Sequence, residues 1–273
     1  MIVDFHTHIF PDKIANKTVQ ILEKKANIPS YSDGTYDGLV SSMRRAGVTL
    51  SVNLPVLTSP SQFDSVLNFA MAVNERFSES DLSEARVLSF AGMHPDIDEP
   101  EEKLRRIKES GILGIKIHPD YQGTFFDDEK YVRILAEAKR LGLITVTHAG
   151  FDAAYPGEEV KCTPKRVMRL LDKIGGYDKL VLAHMGGRLL FSDVYDVLAG
   201  ENVYFDTAYV LGEISQDEMF KVIEKHGAEK ILFATDNPWR SQSTDRDIVK
   251  KYVPEEGAQR RLFSENAKEL LGI

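Results

Sequence analysis

The histidines of this sequence recur at the ends of short apolar runs. Six of the seven histidines lie at or beside the end of a short apolar run, and a carboxylate, Asp236, ends another such run. Imidazole and carboxylate without thiolate suit Zn, Mn, Fe or Ni, and such an ion lowers the pKa of a bound water toward about 7. The pattern therefore indicates metal-assisted chemistry at neutral pH. The six histidines are His6, His8, His94, His118, His148 and His184.

The apolar runs that carry these residues predict eight β-strands. Near-continuous runs such as 180–183 are typical of parallel strands buried on both faces. Helical periodicity between the runs predicts helices over 101–110, 129–141, 164–174 and 216–226. Eight βα units in 273 residues favour an α/β fold, a closed (β/α)8 TIM barrel, over an open doubly wound sheet. The predicted strands are 2–8, 48–55, 87–94, 114–118, 144–148, 180–184, 203–207 and 231–236.

The alternation of side chains along a strand predicts where these ligands point. His6 and His8 are two residues apart, so their side chains lie on the same side of the first strand, together with Asp4. We expect that side to be the barrel interior. On the strands that end at His148, His184 and Asp236, we expect the residues two and four positions before the ligand to face inward as well. The same alternation brings three further ligands to the mouth of the barrel: His148, His184 and Asp236.

Composition excludes several classes of partner. The chain has 34 Lys and Arg against 42 Asp and Glu, and this net charge of −8 disfavours nucleic acid. The single cysteine, Cys162, excludes an internal disulfide and a cysteine-cluster metal site, which is typical of a reducing compartment. No run approaches the roughly 20 apolar residues that span a membrane, and no signal peptide is evident. We therefore expect a cytoplasmic enzyme with a small-molecule substrate, with a homo-oligomer equally compatible with the sequence.

Two loops are expected to shape the substrate pocket. Residues 30–38 are rich in turn formers and follow a short inserted helix predicted near 14–24, while 151–161 follow the fifth strand. In a barrel both segments follow the C-terminal ends of strands, where specificity is usually built. No linker or composition shift divides the chain, so one domain over 1–273 is predicted.

Six short motifs in a fixed order carry a family resemblance. Together they cover nearly the whole chain, which resembles the amidohydrolase superfamily, specifically the amidohydrolase 2 branch that includes metal-dependent decarboxylases and lactonases. Each motif is weak alone, but their order and spacing are specific. The motifs are Val3-Asp4-Phe5-His6-Thr7-His8, Gly114-Ile115-Lys116-Ile117-His118-Pro119, Thr147-His148-Ala149-Gly150, Ala183-His184-Met185-Gly186-Gly187, Ala234-Thr235-Asp236-Asn237-Pro238-Trp239 and Glu265-Asn266-Ala267-Lys268-Glu269-Leu270-Leu271.

The resemblance implies a (β/α)8 barrel with one divalent metal, usually zinc, with Mn, Fe or Ni as alternatives. It assigns the metal ligands to His6, His8, His148 and Asp236, the same residues that the strand pattern brings together. In such enzymes the aspartate matching Asp236 takes a proton from the metal-bound water and passes it on. The histidine matching His184 polarises the reacting group of the substrate.

Lys116 is where the sequence departs from related families. Binuclear relatives carry a carboxylated lysine on the fourth strand, so a second metal is expected only if Lys116 is carboxylated. We favour Lys116 as a structural or substrate-facing residue. The TatD-type deoxyribonucleases share the His-x-His start, but they are expected to carry a metal-bridging glutamate on the fourth strand. This sequence has Lys116 and His118 there, which disfavours a nuclease.

Four other residues have two interpretations each. His118 and His94 either contact substrate or cap their strands through backbone hydrogen bonds. Arg188 either binds a substrate carboxylate with its guanidinium fork or lies exposed at the start of a helix. Asp206 either orients a metal-bound imidazole or caps a loop.

The function expected first is metal-dependent hydrolysis of a small amide, ester or lactone by a metal-activated water. The alternative is non-redox decarboxylation of a small aromatic or unsaturated acid, which uses the same constellation of residues. A barrel that binds metal without catalysis is a third interpretation.

Overall fold

Strands and helices alternate along the computed structural model, which describes residues 1–77 and 85–273. The described strands all lie parallel to their neighbours, and each of the eight predicted strands overlaps an observed one. The largest difference is in the last strand, which is predicted over 231–236 and ends at Leu232. The third predicted strand is split in two. The strands are β1 Val3–Thr7, β2 Leu50–Asn53, β3 Arg86–Ser89, β4 Ala91–Gly92, β5 Gly114–Ile117, β6 Ile144–Thr147, β7 Leu180–Leu182, β8 Tyr204–Asp206 and β9 Ile231–Leu232.

The strands form one barrel, as predicted. Strands β1 to β3 and β4 to β9 are each joined in chain order, with β3 and β4 separated only by Phe90. The Phe90 amide donates to the Asn53 carbonyl at 3.0 Å, and the Asp236 amide donates to the His6 carbonyl at 2.8 Å. The second bond links β1 to the segment after β9 and brings the first and last strands side by side.

The helices between the strands include the inserted helix predicted near 14–24. It forms α1, and α2 follows it before β2. The predicted loop 30–38 is wrong at its end, because the Thr35 side chain accepts from the Gly38 amide at 2.9 Å and so caps α2, which begins at Tyr36. The predicted loop 151–161 contains no helix or strand. The helices are α1 Asp12–Ala26, α2 Tyr36–Ala46, α3 Phe63–Glu75, α4 Pro100–Glu109, α5 Glu129–Arg140, α6 Pro164–Ile174, α7 Phe191–Asp193, α8 Gln216–His226, α9 Gln242–Tyr252, α10 Glu256–Arg260 and α11 Asn266–Leu271.

None of the helices in the described ranges is both long enough and apolar enough to cross a membrane. Most pack one apolar face on the strands. In α5, for example, Ile134, Leu135 and Ala138 are fully buried while the opposite face carries charges. This pattern accounts for the helical periodicity in the sequence.

The side-chain alternation of two strands differs from the prediction. Val3 and Phe5 pack with Val146 and Val181 from strands across the barrel, so they face its interior, whereas Asp4 accepts a hydrogen bond from Gln242 of α9. The pairing of β1 with β2 shifts in register between Asp4 and Thr7. After this shift His6 and His8 lie at the mouth of the barrel. On β7 it is likewise Val181 that faces inward, and Leu180 and Leu182 pack among helix residues. The prediction holds for β6 and β9, where Ile144, Val146, Leu232 and Ala234 face inward.

Gly150 joins the strand that carries His148 to the next loop. Its φ is +85°, and a Cβ there would overlap the backbone of Arg188. We expect Gly150→Ala to lower the free energy of unfolding by about 3 kcal/mol, from the left-handed conformation plus the clash. Gly157→Ala is the control, because φ is +83° there but nothing lies within 4 Å of the added Cβ. Urea unfolding of both variants measures the difference, and equal losses would show that the close approach to Arg188 costs nothing.

Candidate active site

A cavity of about 550 Å³ opens at the C-terminal ends of the barrel strands. Most residues predicted to act in the site lie on its wall. His94 does not line this cavity; its Nδ1 accepts from the Asp96 amide at 3.1 Å, which fits the capping interpretation. The predicted residues on the wall are His6, His8, Lys116, His118, His148, His184, Arg188 and Asp236.

Three of the predicted ligands form what we call the first ligand group: His6, His8 and Asp236. One candidate ligand atom from each lies within 4.8 Å of the other two. The Asp236 Oδ1 is 3.0 Å from His8 Nε2 and 3.6 Å from His6 Nε2. The end of β1 and the segment after β9 thus converge on one point.

Hydrogen bonds fix the tautomers of the two histidines. His8 Nδ1 lies 2.9 Å from the Leu54 carbonyl, and His6 Nδ1 lies 2.8 Å from the Asp206 carboxylate. Both partners can only accept, so each Nδ1 carries a proton, and in the neutral rings each Nε2 presents a lone pair to the cavity. His8 Nε2 and the Asp236 oxygen are then two acceptors facing each other at 3.0 Å, and a cation between them relieves their repulsion. This donor set fits a divalent metal such as Zn or Mn.

A buried lysine adjoins this group. Lys116 is 1% exposed, and its Nζ lies 3.1 Å from His6 Nε2. Burial lowers the pKa of Lys116 to about 8, although the carboxylates of Asp206 and Asp236 oppose this shift. Lys116 therefore lies beside the candidate ligands on the cavity wall.

His148 is placed in a second ligand group, with His118 and Asp152. Its ring stacks on His118 at 4.2 Å, and its Nδ1 lies 2.9 Å from His184 Nε2. His184 Nδ1 is 2.8 Å from the Ala208 carbonyl and must donate to it, so His184 Nε2 accepts from His148. The structure therefore does not bring the fourth predicted ligand into the first ligand group.

The sequence analysis missed two carboxylates at this place: Asp152, which belongs to the second ligand group, and Asp120, which lies beside His148. Asp152 Oδ2 lies 3.3 Å from His118 Nε2. Asp120 Oδ2 and His148 Nε2 are both buried without a hydrogen-bond partner among the described residues, 3.9 Å apart. Asp152 lies four residues after His148 in the predicted loop 151–161, a spacing that could have signalled it.

Asp206 holds together the turn that presents His184. Its Oδ1 accepts from the backbone amides of His184 at 2.8 Å and Ala208 at 3.0 Å, while Oδ2 faces His6. His184 has a φ of +61°, a conformation that a β-carbon disfavours, so the turn needs such support. These contacts agree with both interpretations of Asp206, because Oδ2 can orient the His6 imidazole while Oδ1 caps the turn at His184.

We expect Asp206→Asn to weaken metal binding about 10- to 100-fold, the usual cost of losing such a supporting residue. With the amide oxygen kept on the two backbone donors, the amide NH2 would face His6 Nδ1 and favour the tautomer whose Nε2 carries the proton. A competition titration with a chelator measures the affinity. Asp245→Asn is the control, because Asp245 is also fully buried but pairs with Arg240 away from the cavity. Equal affinities of parent and Asp206→Asn would contradict the tautomer argument.

Arg188 lies on the wall but is already engaged. Its Nε lies 2.7 Å from the Glu213 carboxylate, and its guanidinium lies over the Tyr209 ring at 4.4 Å. Its side chain is 11% exposed, so it is not the solvent-exposed arginine of the alternative interpretation. A substrate carboxylate that binds Arg188 would have to share the guanidinium with Glu213.

The sequence matches a family model described as Amidohydrolase over residues 3–273. No curated protein sequence matches the chain.

Solved structures of similar fold cover the chain from end to end. A 5-carboxyvanillate decarboxylase from Novosphingobium aromaticivorans, complexed with manganese and 4-hydroxy-3-methoxy-5-nitrobenzoic acid, has 12% identity and a TM-score of 0.74, covering 100% of this chain and 96% of its own. A dihydroxybenzoic acid decarboxylase from Polaromonas sp. JS666, with manganese and 2-nitroresorcinol, has 16% identity and a TM-score of 0.70, with 99% and 96% covered. A probable 2-pyrone-4,6-dicarboxylic acid hydrolase from Acinetobacter baumannii, with citric acid bound, has 16% identity and a TM-score of 0.67, with 100% and 99% covered. At these identities the likeness establishes the fold, the predicted TIM barrel.

Proposed function

Because the chain belongs to the amidohydrolase family, a family of metal-dependent enzymes, we propose that it is a carboxy-lyase that removes a carboxylate from a small ring acid without a redox step. The sequence analysis expected hydrolysis first and decarboxylation as the alternative. The alternative becomes the main proposal for a reason of charge. A divalent ion held at the candidate ligands would supply positive charge, and Lys116 places a buried N–H donor beside it, a combination that favours a substrate whose reacting group is an anion.

The similar structures support the same choice. Two of the three just described are decarboxylases of ring acids, and both contain manganese together with a nitro-substituted aromatic ligand. Manganese is thus a second candidate beside zinc for this chain, whose first ligand group suits either ion.

The reaction breaks the bond between the carboxylate carbon and the ring, releases carbon dioxide and adds a proton to the ring carbon. A divalent ion held by the first ligand group would supply positive charge to bind and orient the acid. Lys116, on β5, would donate a hydrogen bond to the anion from beside His6. Asp236 has an oxygen on the cavity wall and is the residue that we expect to carry the proton to the ring carbon.

In this proposal His184 is a positioning residue. Its Nε2 accepts from His148, and its Nδ1 donates to the Ala208 carbonyl, so the ring is held at both nitrogens. The fixed ring lies 5.5 Å from the ring of His6 and forms part of the cavity wall beside the first ligand group. The polarising role that the sequence analysis gave to His184 requires its bond with His148 to open.

Hydrolysis stays the second candidate, because the similar structure from Acinetobacter baumannii bears the name of a pyrone dicarboxylate hydrolase. The same residues serve it, with Asp236 taking a proton from an attacking water.

One experiment separates the two reactions. The protein reconstituted with Mn²⁺ or Zn²⁺ is incubated in D₂O with 2,6-dihydroxybenzoate, 5-carboxyvanillate or 2-pyrone-4,6-dicarboxylate, and products are followed by NMR and by carbon dioxide release. Decarboxylation gives a ring with deuterium in place of the carboxylate. Opening of the pyrone without release of carbon dioxide, and no turnover of the two benzoates, would favour hydrolysis and reject the proposal.

A further inference from the structure

The cavity extends outward from the first ligand group into an apolar groove between α1 and α3. We propose that this groove binds a neutral apolar substituent of the substrate, so that the substrate is a ring acid with an alkyl chain or a second ring. The inference rests on the proposed function, because it places the reacting end of the substrate at His6, His8 and Asp236. The groove, called here the α1–α3 groove, is lined by Ile14, Thr18, Ile21, Leu22, Val66 and Phe69.

One wall of the groove is an apolar stripe on α1 that does not pack on the barrel. Ile14 and Ile21 are 50% and 55% exposed, and they lie two helical turns apart with Thr18 between them. Ala15 and Val19 anchor the helix through a different face. Large exposed aliphatic side chains on one face, all directed at a cavity, indicate a binding surface.

The opposite wall comes from α3. Val66 and Phe69 line the groove, while Phe63, Leu67 and Ala70 hold the helix on the barrel. The two walls therefore belong to helices whose other faces are fixed, so the groove is largely formed before ligand binds.

Charge divides the cavity into two parts. Among the described residues that line it, the Lys, Arg, Asp and Glu side chains all come from the strand ends and loops of the barrel, and α1 and α3 contribute none. These four side chains are Lys116, Asp152, Arg188 and Asp236. A second acid group on the substrate would find no charged partner among the described residues of α1 and α3, whereas a hydrocarbon would bury apolar surface on both sides.

The volume of the cavity also favours a ring acid with an apolar substituent. The cavity volume of about 550 Å³ lies in the range of sites that enclose drug-sized ligands. A single-ring acid held at the metal ligands fills only the inner end. The continuity of the groove with the reacting end favours a part of the substrate as its occupant over a separate partner or a second copy of this chain.

The test uses alkyl hydroxamic acids, which carry a metal-binding head and a tail of chosen length. The Zn²⁺-loaded protein is titrated by calorimetry with acetohydroxamic, butyrohydroxamic, hexanohydroxamic and octanohydroxamic acid. We expect Kd to fall by about fourfold per methylene while the tail is in the groove, the factor that corresponds to burial of one methylene. A Kd that does not change with tail length would overturn the inference.

Two variants locate the tail. Ile21→Glu puts a charge into the groove at a half-exposed helical position, where we expect the fold to be unaffected, and it should abolish the dependence on tail length while leaving acetohydroxamic acid binding intact. Phe220→Glu is the control, because Phe220 is 58% exposed on α8 and does not line the cavity. Equal loss in both variants would overturn the inference.

Two further outcomes separate this inference from the proposed function. If acetohydroxamic acid binds and tails add affinity but no acid is decarboxylated, the groove stands and the reaction type is wrong. If sedimentation shows a dimer in the parent that Ile14→Glu dissociates, a second copy of the chain occupies the groove and the inference is rejected.

Discussion

The His6→Ala/His8→Ala double variant is expected to lose the metal of the first ligand group and to show no turnover. Both side chains direct an Nε2 lone pair at the same point, with Nδ1 held by Asp206 or by the Leu54 carbonyl. Their removal leaves Asp236 as the remaining member of the first ligand group, and one carboxylate cannot hold a transition metal against solvent. Elemental analysis by inductively coupled plasma mass spectrometry, on protein purified without chelator, measures the metal content.

The metal content of the double variant is compared with that of the parent and of a control variant. His94→Ala removes a buried histidine that does not line the cavity, so its metal content should equal that of the parent. We expect about one ion per chain in the parent, as in mononuclear catalytic sites. Nearly two ions would indicate a carboxylated Lys116 or an ion in the second ligand group as well. A parent without metal after incubation with excess zinc and manganese would reject the metal-dependent mechanism.

The barrel could be predicted from the sequence because the same βα pattern is repeated along the chain. Each strand is a short apolar run, and each is followed by a segment with helical periodicity, so an error in one unit does not change the fold. The bounds of single elements are less certain. The start of α2 at Tyr36 was missed because a turn-rich stretch and a helix cap use the same residues, and Thr35 acts as the cap.

Strand alternation is reliable only while a strand stays regular. On β6 and β9 the predicted inward side chains face inward, but a register shift between Asp4 and Thr7 and the left-handed backbone at His184 break the alternation elsewhere. Both irregularities occur where a strand delivers a histidine to the mouth. The histidines reach the cavity because the backbone departs from the ideal geometry that was used to predict them.

The position of His148 depends on a network that spacing does not encode. Its ring could direct either nitrogen toward the first ligand group. The choice follows from the Ala208 carbonyl, which fixes the proton on His184, and from the stacking of His118. The partners come from three different strand ends, and only their placement in space shows that they compete with a metal for His148.

Asp236→Asn is expected to lower turnover by about 10³-fold or more while part of the bound metal is kept. The amide has nearly the shape of the carboxylate, and His6 and His8 still present their Nε2 atoms. The amide cannot carry a proton between groups at neutral pH, and a positioned acid or base contributes about 10²- to 10⁴-fold. Steady-state kinetics on an accepted substrate and elemental analysis of the same sample measure the two effects separately.

The Asp236→Asn variant distinguishes a metal ligand from a proton carrier. If the residue only holds the ion, activity per bound metal should equal that of the parent once excess metal restores occupancy. If it also moves the proton, activity per bound metal stays low at full occupancy. Asp245→Asn controls for loss of a buried carboxylate outside the cavity. Parent-level activity per metal in Asp236→Asn would remove Asp236 from proton transfer and leave it as a ligand alone.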